Sequence, residues 1–303
     1  MIVKEAFVAR TWSADSLWNG PPINRNPLEG HLHMLMNTGQ PSVIEFLGDH
    51  VNRKLRMIRI YTAYAELGDL QVLVDNNARL GQAIDENRQP LTVDTRIPAV
   101  VVICLCEAMA ASVCLMAHGQ LPDDQGRWEL GFGNGDAPNP PWAHEIVHRD
   151  IKPANYFLTE CKDPTRWRGL PIAALGDFGN AFDLSNPPLI TKGMGTPGYE
   201  APEQGYNNHP VSSAANVFQV GLVMHELMTL RRPSYQPTFG PRDDPLFPAI
   251  DTTFYSADLA TLAKRCIRTD IRRRPSPKSL YQRLRTLANE TPIHATPWGK
   301  LTW

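Results

Sequence analysis

The first seventy residues mix strand-like and helix-like hydrophobic patterns. The runs AFVAR, SVIEFLG and LRMIRIYTAY have the composition and spacing of strands. NPLEGHLHMLM, at residues 26–36, instead spaces its apolar residues as a helix does. ELGDL, at 66–70, then breaks the pattern with Gly68. The amino-terminal part is therefore predicted to be small and rich in strands.

Helices dominate the rest of the chain, and the pattern predicts them at about 98–118, 215–230 and 257–269. The first approaches the length of a membrane span. Glu107 lies near its middle, however, and a central carboxylate is unfavourable in lipid. A buried helix of a large domain has the same all-round hydrophobicity, so we expect a buried helix.

Residues 119–145 are dense in Gly, Pro, Asp and Asn, which predicts an exposed insertion loop. The loop contains GFGNG, but this run follows a helix amid prolines and lacks the context of a phosphate-binding loop. We expect a flexible loop there rather than a nucleotide site.

Composition sets the size and surroundings of the protein. With 303 residues, 42% of them hydrophobic, the chain can form one large domain or two lobes. Its formal net charge of -1 provides no global field for nucleic acid or an anionic membrane, so neither is an expected partner. Five cysteines without a zinc-like spacing are typical of reduced thiols in a cytoplasmic or nuclear protein.

The segment HRDIKPANYFL, at residues 148–158, concentrates the chemistry needed for phosphoryl transfer. Asp150 can orient an acceptor hydroxyl, and Lys152 can neutralise the transferring phosphate. Asn155 offers a neutral oxygen to Mg²⁺, and Asp177 in LGDFGNA supplies the carboxylate that a hard cation prefers. The predicted catalytic residues are Asp150 and Lys152, and the predicted metal ligands are Asn155 and Asp177.

Three ordered motifs, HRDIKPAN, DFG and GTPGYEAPE, resemble those of the eukaryotic protein kinase family. The resemblance implies an α+β, bilobal protein-kinase-like fold with a truncated small β-rich lobe and a mainly helical large lobe. The small lobe would span 1–66, the large lobe 67–289 and a tail 290–303. It also implies ATP and Mg²⁺ as cofactors, and a protein substrate that presents a Ser or Thr acceptor. An activating partner is left unidentified.

Further roles follow from the resemblance position by position. Lys152 and Thr196 suggest Ser/Thr specificity, while IYTAYAELGDL resembles the strand and hinge between the lobes. Thr62 would then be the gatekeeper, and Ala63 to Ala65 the hinge that forms backbone hydrogen bonds with adenine. Arg149 would pair with a phosphorylated activation segment, and Thr191 and Ser185 are candidate phosphosites. Glu203 and Arg274 would form a structural ion pair.

The amino end departs from the family. The strand lysine and helix glutamate that hold the α- and β-phosphates would be Lys4 and Glu29, which leaves no room for a glycine-rich loop before Lys4. An ordinary surface lysine stays an alternative interpretation of Lys4. Asn216 replaces the aspartate of the family's central helix, and an amide with one accepting oxygen is expected to hold the catalytic loop less firmly.

Three functions remain open from the sequence. The first is a protein Ser/Thr kinase, supported by Asp150, Lys152, Asn155 and Asp177. The second is a pseudokinase that acts as a binding or scaffolding module, supported by the missing glycine-rich loop and Asn216. The third is a small-molecule phosphotransferase, which would have no need for a peptide platform such as GTPGYEAPE.

Overall fold

The amino-terminal lobe is built on a three-stranded antiparallel sheet. The structure, a computed structural model, describes residues 1–8, 12–14, 17–19, 26–82, 94–128, 145–161, 170–188, 194–205, 210–233 and 247–291. The sheet has the order β1-β5-β4, and its strands are β1 (Ile2–Phe7), β4 (Phe46–Asn52) and β5 (Met57–Thr62). Two short strands, β2 (Trp18–Asn19) and β3 (Asn26–Pro27), pair before helix α1 (Leu28–Met36). Within the described residues, the small lobe is thus a sheet with helix α1 packed against β4.

The predicted positions of two strands were wrong. The run AFVAR was expected to form a strand, but β1 ends at Phe7, and residues 9–11 lie outside the described part of the chain. SVIEFLG was expected at 42–48, whereas β4 begins at Phe46 and passes through Gly48 with a shift of register. The apolar residues before β4 are buried against the large lobe instead, where Ile44 N–H donates to the carbonyl of Leu175 at 2.9 Å.

Five helices form the framework of the large lobe: α2 (Leu70–Leu80), α3 (Ala99–His118), α4 (Ser213–Thr229), α5 (Ala257–Cys266) and α6 (Pro277–Glu290). Side chains cap four of them at the amino end, and the capping residues are Asp69, Ser212, Ser256 and Ser276. The predictions of α3, α4 and α5 agree with these bounds to within a few residues. Helices α2 and α6 were missed, although each has an apolar face, as the predicted α5 does.

The apolar helix α3 lies inside the large lobe. It is long and apolar enough to cross a membrane by length and composition, but 89% of its most hydrophobic window is buried within the protein. Its central Glu107 is 0% exposed and accepts a hydrogen bond from Arg285 Nη1 of α6 at 2.9 Å. Arg285 also contacts Asp124, at 2.9 Å. The charge in the middle of the apolar helix is therefore paired across the core.

Short strands place the predicted site residues of the large lobe at one edge of this helical framework. The pair β6 (Ile146–Val147) and β9 (Phe182–Asp183) and the hairpin β7 (Tyr156–Thr159) and β8 (Ile172–Leu175) flank the segments that contain Asp150 and Asp177. The chain passes from one lobe to the other between the end of β5 and the start of α2, and the predicted boundary at 66/67 lies in this connection.

Three sequence predictions cannot be compared with the structure. The GFGNG run at 131–135, Thr191 and residues 292–303 of the predicted tail lie outside the described residues. Ser185, the other candidate phosphosite, is exposed just after β9.

Candidate active site

Lys4, Glu29 and Asp177 meet in the cleft between the lobes. Strand β1 directs Lys4 toward α1, where Nζ lies 2.8 Å from Glu29 Oε1 and 2.6 Å from Asp177 Oδ1. Gly179 allows this approach, since a Cβ there would lie 3.1 Å from Lys4 Nζ and 3.3 Å from Glu29 Oε2. The structure therefore brings together three predicted site residues from distant parts of the sequence.

The charges of this triad shift one another's protonation. Burial by itself lowers the pKa of Lys4, but Glu29 and Asp177 outweigh it, so the pKa is raised and the ammonium is retained. Burial raises the pKa of Asp177, and the nearby Lys4 more than reverses this, so the pKa of that carboxyl is lowered. Burial raises the pKa of Glu29 above its usual value despite the opposing charge of Lys4. The site thus holds a persistent cation beside an ionised carboxylate.

Asp150 lies on the large-lobe side of the same cleft and is 6% exposed. Thr196 Oγ1 donates to Asp150 Oδ1 at 2.6 Å, while Lys152 Nζ lies 3.1 Å from Oδ2 and 2.6 Å from the Thr196 hydroxyl. These contacts join the HRD segment to the GTPGYEAPE segment. They fix both oxygens of the carboxylate.

Asn155 is oriented by the same loop. Its Nδ2 donates to the carbonyl of Asp150 at 2.8 Å, so the amide oxygen is left for another donor or a cation. With the carboxylate of Asp177, this gives two oxygen ligands. Mg²⁺ typically binds through one or two carboxylates together with substrate phosphates and water, so the donor set fits this ion. Within the described ranges, no cluster of three or more His, Cys, Asp or Glu side chains could hold a metal.

The amide of Asn216 holds the catalytic loop with both of its ends. Oδ1 accepts the N–H of His148 at 2.9 Å, and Nδ2 donates to the carbonyl of Ile146 at 3.0 Å. The sequence-based expectation of a loosely held loop was wrong in its reasoning, because the NH₂ group faces an acceptor that a carboxylate could not satisfy. The asparagine is therefore matched to its surroundings.

Four ring-bearing residues form a series of tilted and edge-to-face contacts from the HRD segment into the small lobe. His148 lies 5.0 Å from Phe178, Phe178 lies 4.8 Å from His33, and His33 lies 5.3 Å from Phe46, measured between ring centroids. Burial lowers the pKa of His33 to about 4, so the ring is neutral and pairs through Nε2 with the carbonyl of Ile44. Sequence reasoning missed His33, although its position four residues after Glu29 on α1 places it one turn further along the same face.

The predicted hinge follows β5 and has an apolar wall. Thr62 ends that strand. The N–H of Ala63 donates to the carbonyl of Glu45 at 2.9 Å, and the predicted role of Ala63 to Ala65 in binding adenine stays a prediction. Ala65 is buried with Ile44 and Ala174, beside Ala63 and Phe157.

Glu203 and Arg274 form a two-pronged ion pair, with Nη1 to Oε1 at 2.6 Å and Nη2 to Oε2 at 2.9 Å. Both side chains are buried, and the guanidinium lies over the ring of Phe218. This pair lies away from the cleft, and its contacts are structural.

Arg149 lies beside the cleft with part of its guanidinium unpaired. Its Nε donates to the carbonyl of Asn180 at 2.6 Å, while Nη1 is buried without a hydrogen-bond partner in the part of the chain that is described. Burial lowers the pKa of Arg149 to about 10.

Comparisons with known proteins agree with this architecture. Residues 142–284 match the protein kinase domain. The G2-specific protein kinase fin1 of Schizosaccharomyces pombe is 27% identical over 67% of this chain and 24% of its own length. The mouse serine/threonine-protein kinase Nek5 is 33% identical over 46% of this chain and 21% of its own. The chain thus spans about a quarter of the length of these curated relatives.

A solved structure supports the fold as well. A chain of the CAK complex from Chaetomium thermophilum, bound to ATP-gamma-S, superposes with a TM-score of 0.56 at 15% identity, covering 91% of this chain and 83% of that one. The bilobal fold and the sequence relatives are those of the protein kinases. The chain has the bilobal fold of the protein kinases, and its residues 142–284 match their domain.

Proposed function

We propose that this chain transfers the γ-phosphoryl group of ATP to Ser or Thr hydroxyls of protein substrates. The observation that carries the proposal is the fixed Asp150 carboxylate, held by Thr196 and Lys152 across the cleft from Lys4 and Asp177. Phosphoryl transfer is catalysed mainly by positioning and charge stabilisation. This cleft offers groups for both.

Each residue has a distinct task in the proposed reaction. Asp150 orients the acceptor hydroxyl and accepts its proton as the hydroxyl oxygen bonds to the γ-phosphorus. The bond from that phosphorus to the β–γ bridging oxygen breaks, ADP leaves, and Lys152 stabilises charge on the transferring group. Lys4, oriented by Glu29, binds the α- and β-phosphates. Asn155 and Asp177 would hold Mg²⁺, which neutralises charge on the phosphate oxygens when bound. The carbonyl of Ala63 and the backbone of Ala65 hold adenine.

The test is transfer of radiolabelled phosphate to a basic test protein by the unchanged chain and by Asp150→Asn. We expect transfer to Ser or Thr by the unchanged chain and a loss of at least a hundredfold in Asp150→Asn, with Mg-ATP affinity kept within twofold. Small alcohols serve as competing acceptors. Unchanged turnover in Asp150→Asn would contradict the catalytic assignment, and transfer confined to the alcohols would favour a small-molecule phosphotransferase.

A second candidate function is a pseudokinase that binds partners without efficient transfer. The observation that favours it is the 2.6 Å contact between Lys4 and Asp177, because the ammonium already satisfies an oxygen that a cation would need. Calorimetric titration with ATP, with and without Mg²⁺, separates the two functions. A kinase should bind ATP more tightly with Mg²⁺, whereas a chain whose binding ignores the metal and which transfers no phosphate would fit the second function.

The proposed setting is the cytoplasm or nucleus. All five cysteines are free thiols, and Cys104, Cys106, Cys114 and Cys266 are buried. Imaging of the tagged protein in its own cells tests the location.

A further inference from the structure

The carbonyl oxygen of Arg149, directly before Asp150 in sequence, accepts hydrogen bonds from two buried glutamines. Gln219 Nε2 of α4 lies 2.8 Å from this oxygen, and Gln204 Nε2 lies 2.9 Å from it. Neither glutamine is more than 1% exposed. A carbonyl oxygen has two lone pairs, so these donors occupy both.

The backbone at this point is unusual. The backbone of Arg149 has a φ angle of 67°, in the left-handed region that residues with a side chain rarely adopt. Gly195, with φ +113, packs against the same carbonyl, and a Cβ there would lie only 2.6 Å from the oxygen. Strained conformations persist only where the surroundings determine them. The two glutamines and Gly195 contact this carbonyl and so hold the backbone of Arg149 in place.

Gln219 does more than donate to Arg149. Its Oε1 accepts the N–H of Ile151 at 3.3 Å, so one side chain holds the peptide groups on both sides of Asp150. Its Nε2 also donates to the carbonyl of Tyr199 at 3.1 Å, in the GTPGYEAPE segment. Gln219 therefore connects the catalytic loop to the segment that contains Thr196.

Gln204 shares only part of this set of hydrogen-bond partners. Its Nε2 lies 3.3 Å from the carbonyl of Met194, and its Oε1 accepts the N–H of Ala201 at 2.9 Å. Gln204 thus supports the Arg149 carbonyl from the GTPGYEAPE side, whereas Gln219 alone also reaches Ile151.

We infer that Gln219 is a positioning residue for phosphoryl transfer, which fixes Asp150 relative to the acceptor segment by holding the peptides of Arg149, Ile151 and Tyr199. The inference rests on the proposed kinase function. Gln219 touches neither nucleotide nor metal ligands in the contacts described, so its loss should lower turnover and leave nucleotide binding in place. A misplaced catalytic group lowers the rate by roughly ten- to a hundredfold.

The main test replaces Gln219 with Met, which fills a similar volume without hydrogen bonds. We expect kcat for transfer to a basic test protein to fall at least tenfold in Gln219→Met, with KM for Mg-ATP within twofold. Gln204→Met should lower kcat less, because Ile151 stays held. The matched control is His225→Leu, which removes a buried polar side chain from the same helix, where it bonds the carbonyl of Pro248. This control should lose stability and keep kcat.

A second variant separates positioning from packing. In Gln219→Glu, a protonated carboxyl can still accept from Ile151 and donate to Arg149, whereas the ionised form faces two carbonyl oxygens. The kcat of Gln219→Glu, divided by that of the unchanged chain, should therefore fall as pH rises from 6 to 9. Asp150, Lys152 and Tyr199 are common to both proteins, so the ratio removes most of their effect.

Amide hydrogen exchange of residues 148–151, measured in the same samples, is a readout that does not depend on activity. We expect faster exchange at Ile151 in Gln219→Met and no change there in His225→Leu. If the unchanged chain transfers phosphate and Gln219→Met keeps its kcat, the inference is overturned and the kinase function stands. If the unchanged chain transfers none, the kinase function fails, and the exchange result alone decides whether Gln219 orders the loop. A flat pH ratio would also overturn the positioning role.

Discussion

Lys4 and Asp177 lie 173 positions apart in sequence, yet Lys4 Nζ is 2.6 Å from Asp177 Oδ1. The contact joins the sheet of the small lobe to the DFG segment of the large lobe. Glu29 of α1 shares the same ammonium, so three segments that are distant in sequence meet at one cation.

Replacing Lys4 with Met should lower the rate of phosphate transfer at least tenfold, since it removes the cation that we propose binds the α- and β-phosphates. Unfolding by urea should change by less than about 1 kcal/mol, because the lysine is 42% exposed and exposed ion pairs contribute little. Lys54→Met, at an exposed turn position, is the control and should change neither quantity. Full activity in Lys4→Met would support the interpretation of an ordinary surface lysine.

Replacing Asp177 with Asn should weaken the binding of Mg-ATP and leave binding of metal-free ATP nearly unchanged, because an amide oxygen is a poorer ligand for a hard cation than a carboxylate. Calorimetric titrations in Mg²⁺ and in chelator measure both affinities. Asp183→Asn, beyond the Phe178–Asn180 turn, is the matched control and should retain the Mg²⁺ effect. Equal losses with and without Mg²⁺ would exclude the proposed metal role of Asp177.

Replacing Asn216 with Asp should destabilise the protein by about 1–3 kcal/mol, the scale of an unsatisfied buried polar group. The new carboxylate could still accept from His148, but it would face the carbonyl of Ile146 where the amide now donates. Chemical unfolding at pH 8 measures the change. Asn186→Asp, at an exposed position, is the control. A more stable Asn216→Asp protein would contradict the hydrogen bond to Ile146.

Much of this site could be predicted from short motifs. HRDIKPAN places several polar residues within one loop, and DFG begins with Asp177, so local patterns were enough to single out Asp150, Lys152, Asn155 and Asp177. Lys4 and Glu29 required the resemblance, since nothing local shows that β1 directs a lysine toward α1. The structure brings them to 2.8 Å.

The missed features depend on contacts that are distant in sequence. Gln204 and Gln219 lie in unrelated segments, and only the fold shows that both reach the carbonyl of Arg149. Asn216 was singled out, but its effect was misjudged because the acceptor at Ile146 is not visible in the sequence. Residues 42–45 resemble a strand because Val43 and Ile44 are apolar, although the fold buries them against β8 instead.

Replacing Arg285 with Met should destabilise the protein by about 3–5 kcal/mol, because breaking a buried ion pair takes the cation away from a buried carboxylate. Glu107 is fully buried in α3 and loses its 2.9 Å contact with Arg285. The double variant Glu107→Gln with Arg285→Met removes the charge as well and should recover part of the loss. Arg283→Met, on the same helix, is the control. A single variant as stable as the unchanged chain would show that the pair contributes nothing.

Replacing His33 with Leu should flatten the dependence of stability on pH between about 8 and 5. The pKa of His33 falls from its ordinary value of 6.5 to about 4 on folding, chiefly through burial, so the unfolded chain binds more protons in this range and stability decreases as pH falls. Between pH 8 and pH 5 this amounts to about 2 kcal/mol for this one group. The leucine side chain would remain apolar between Phe46 and Phe178 but would lose the hydrogen bond to Ile44.

The measurement is urea unfolding at several pH values for the unchanged chain, His33→Leu and the control His50→Leu. His50 is exposed on β4, so its replacement should leave the pH dependence as it is. The difference in unfolding free energy between His33→Leu and the unchanged chain should shift in favour of the variant as pH falls, because only the unchanged chain must keep a buried histidine neutral. A difference that stays constant with pH would show that His33 has the same pKa in the folded and unfolded states, and would contradict its burial between Phe46 and Phe178.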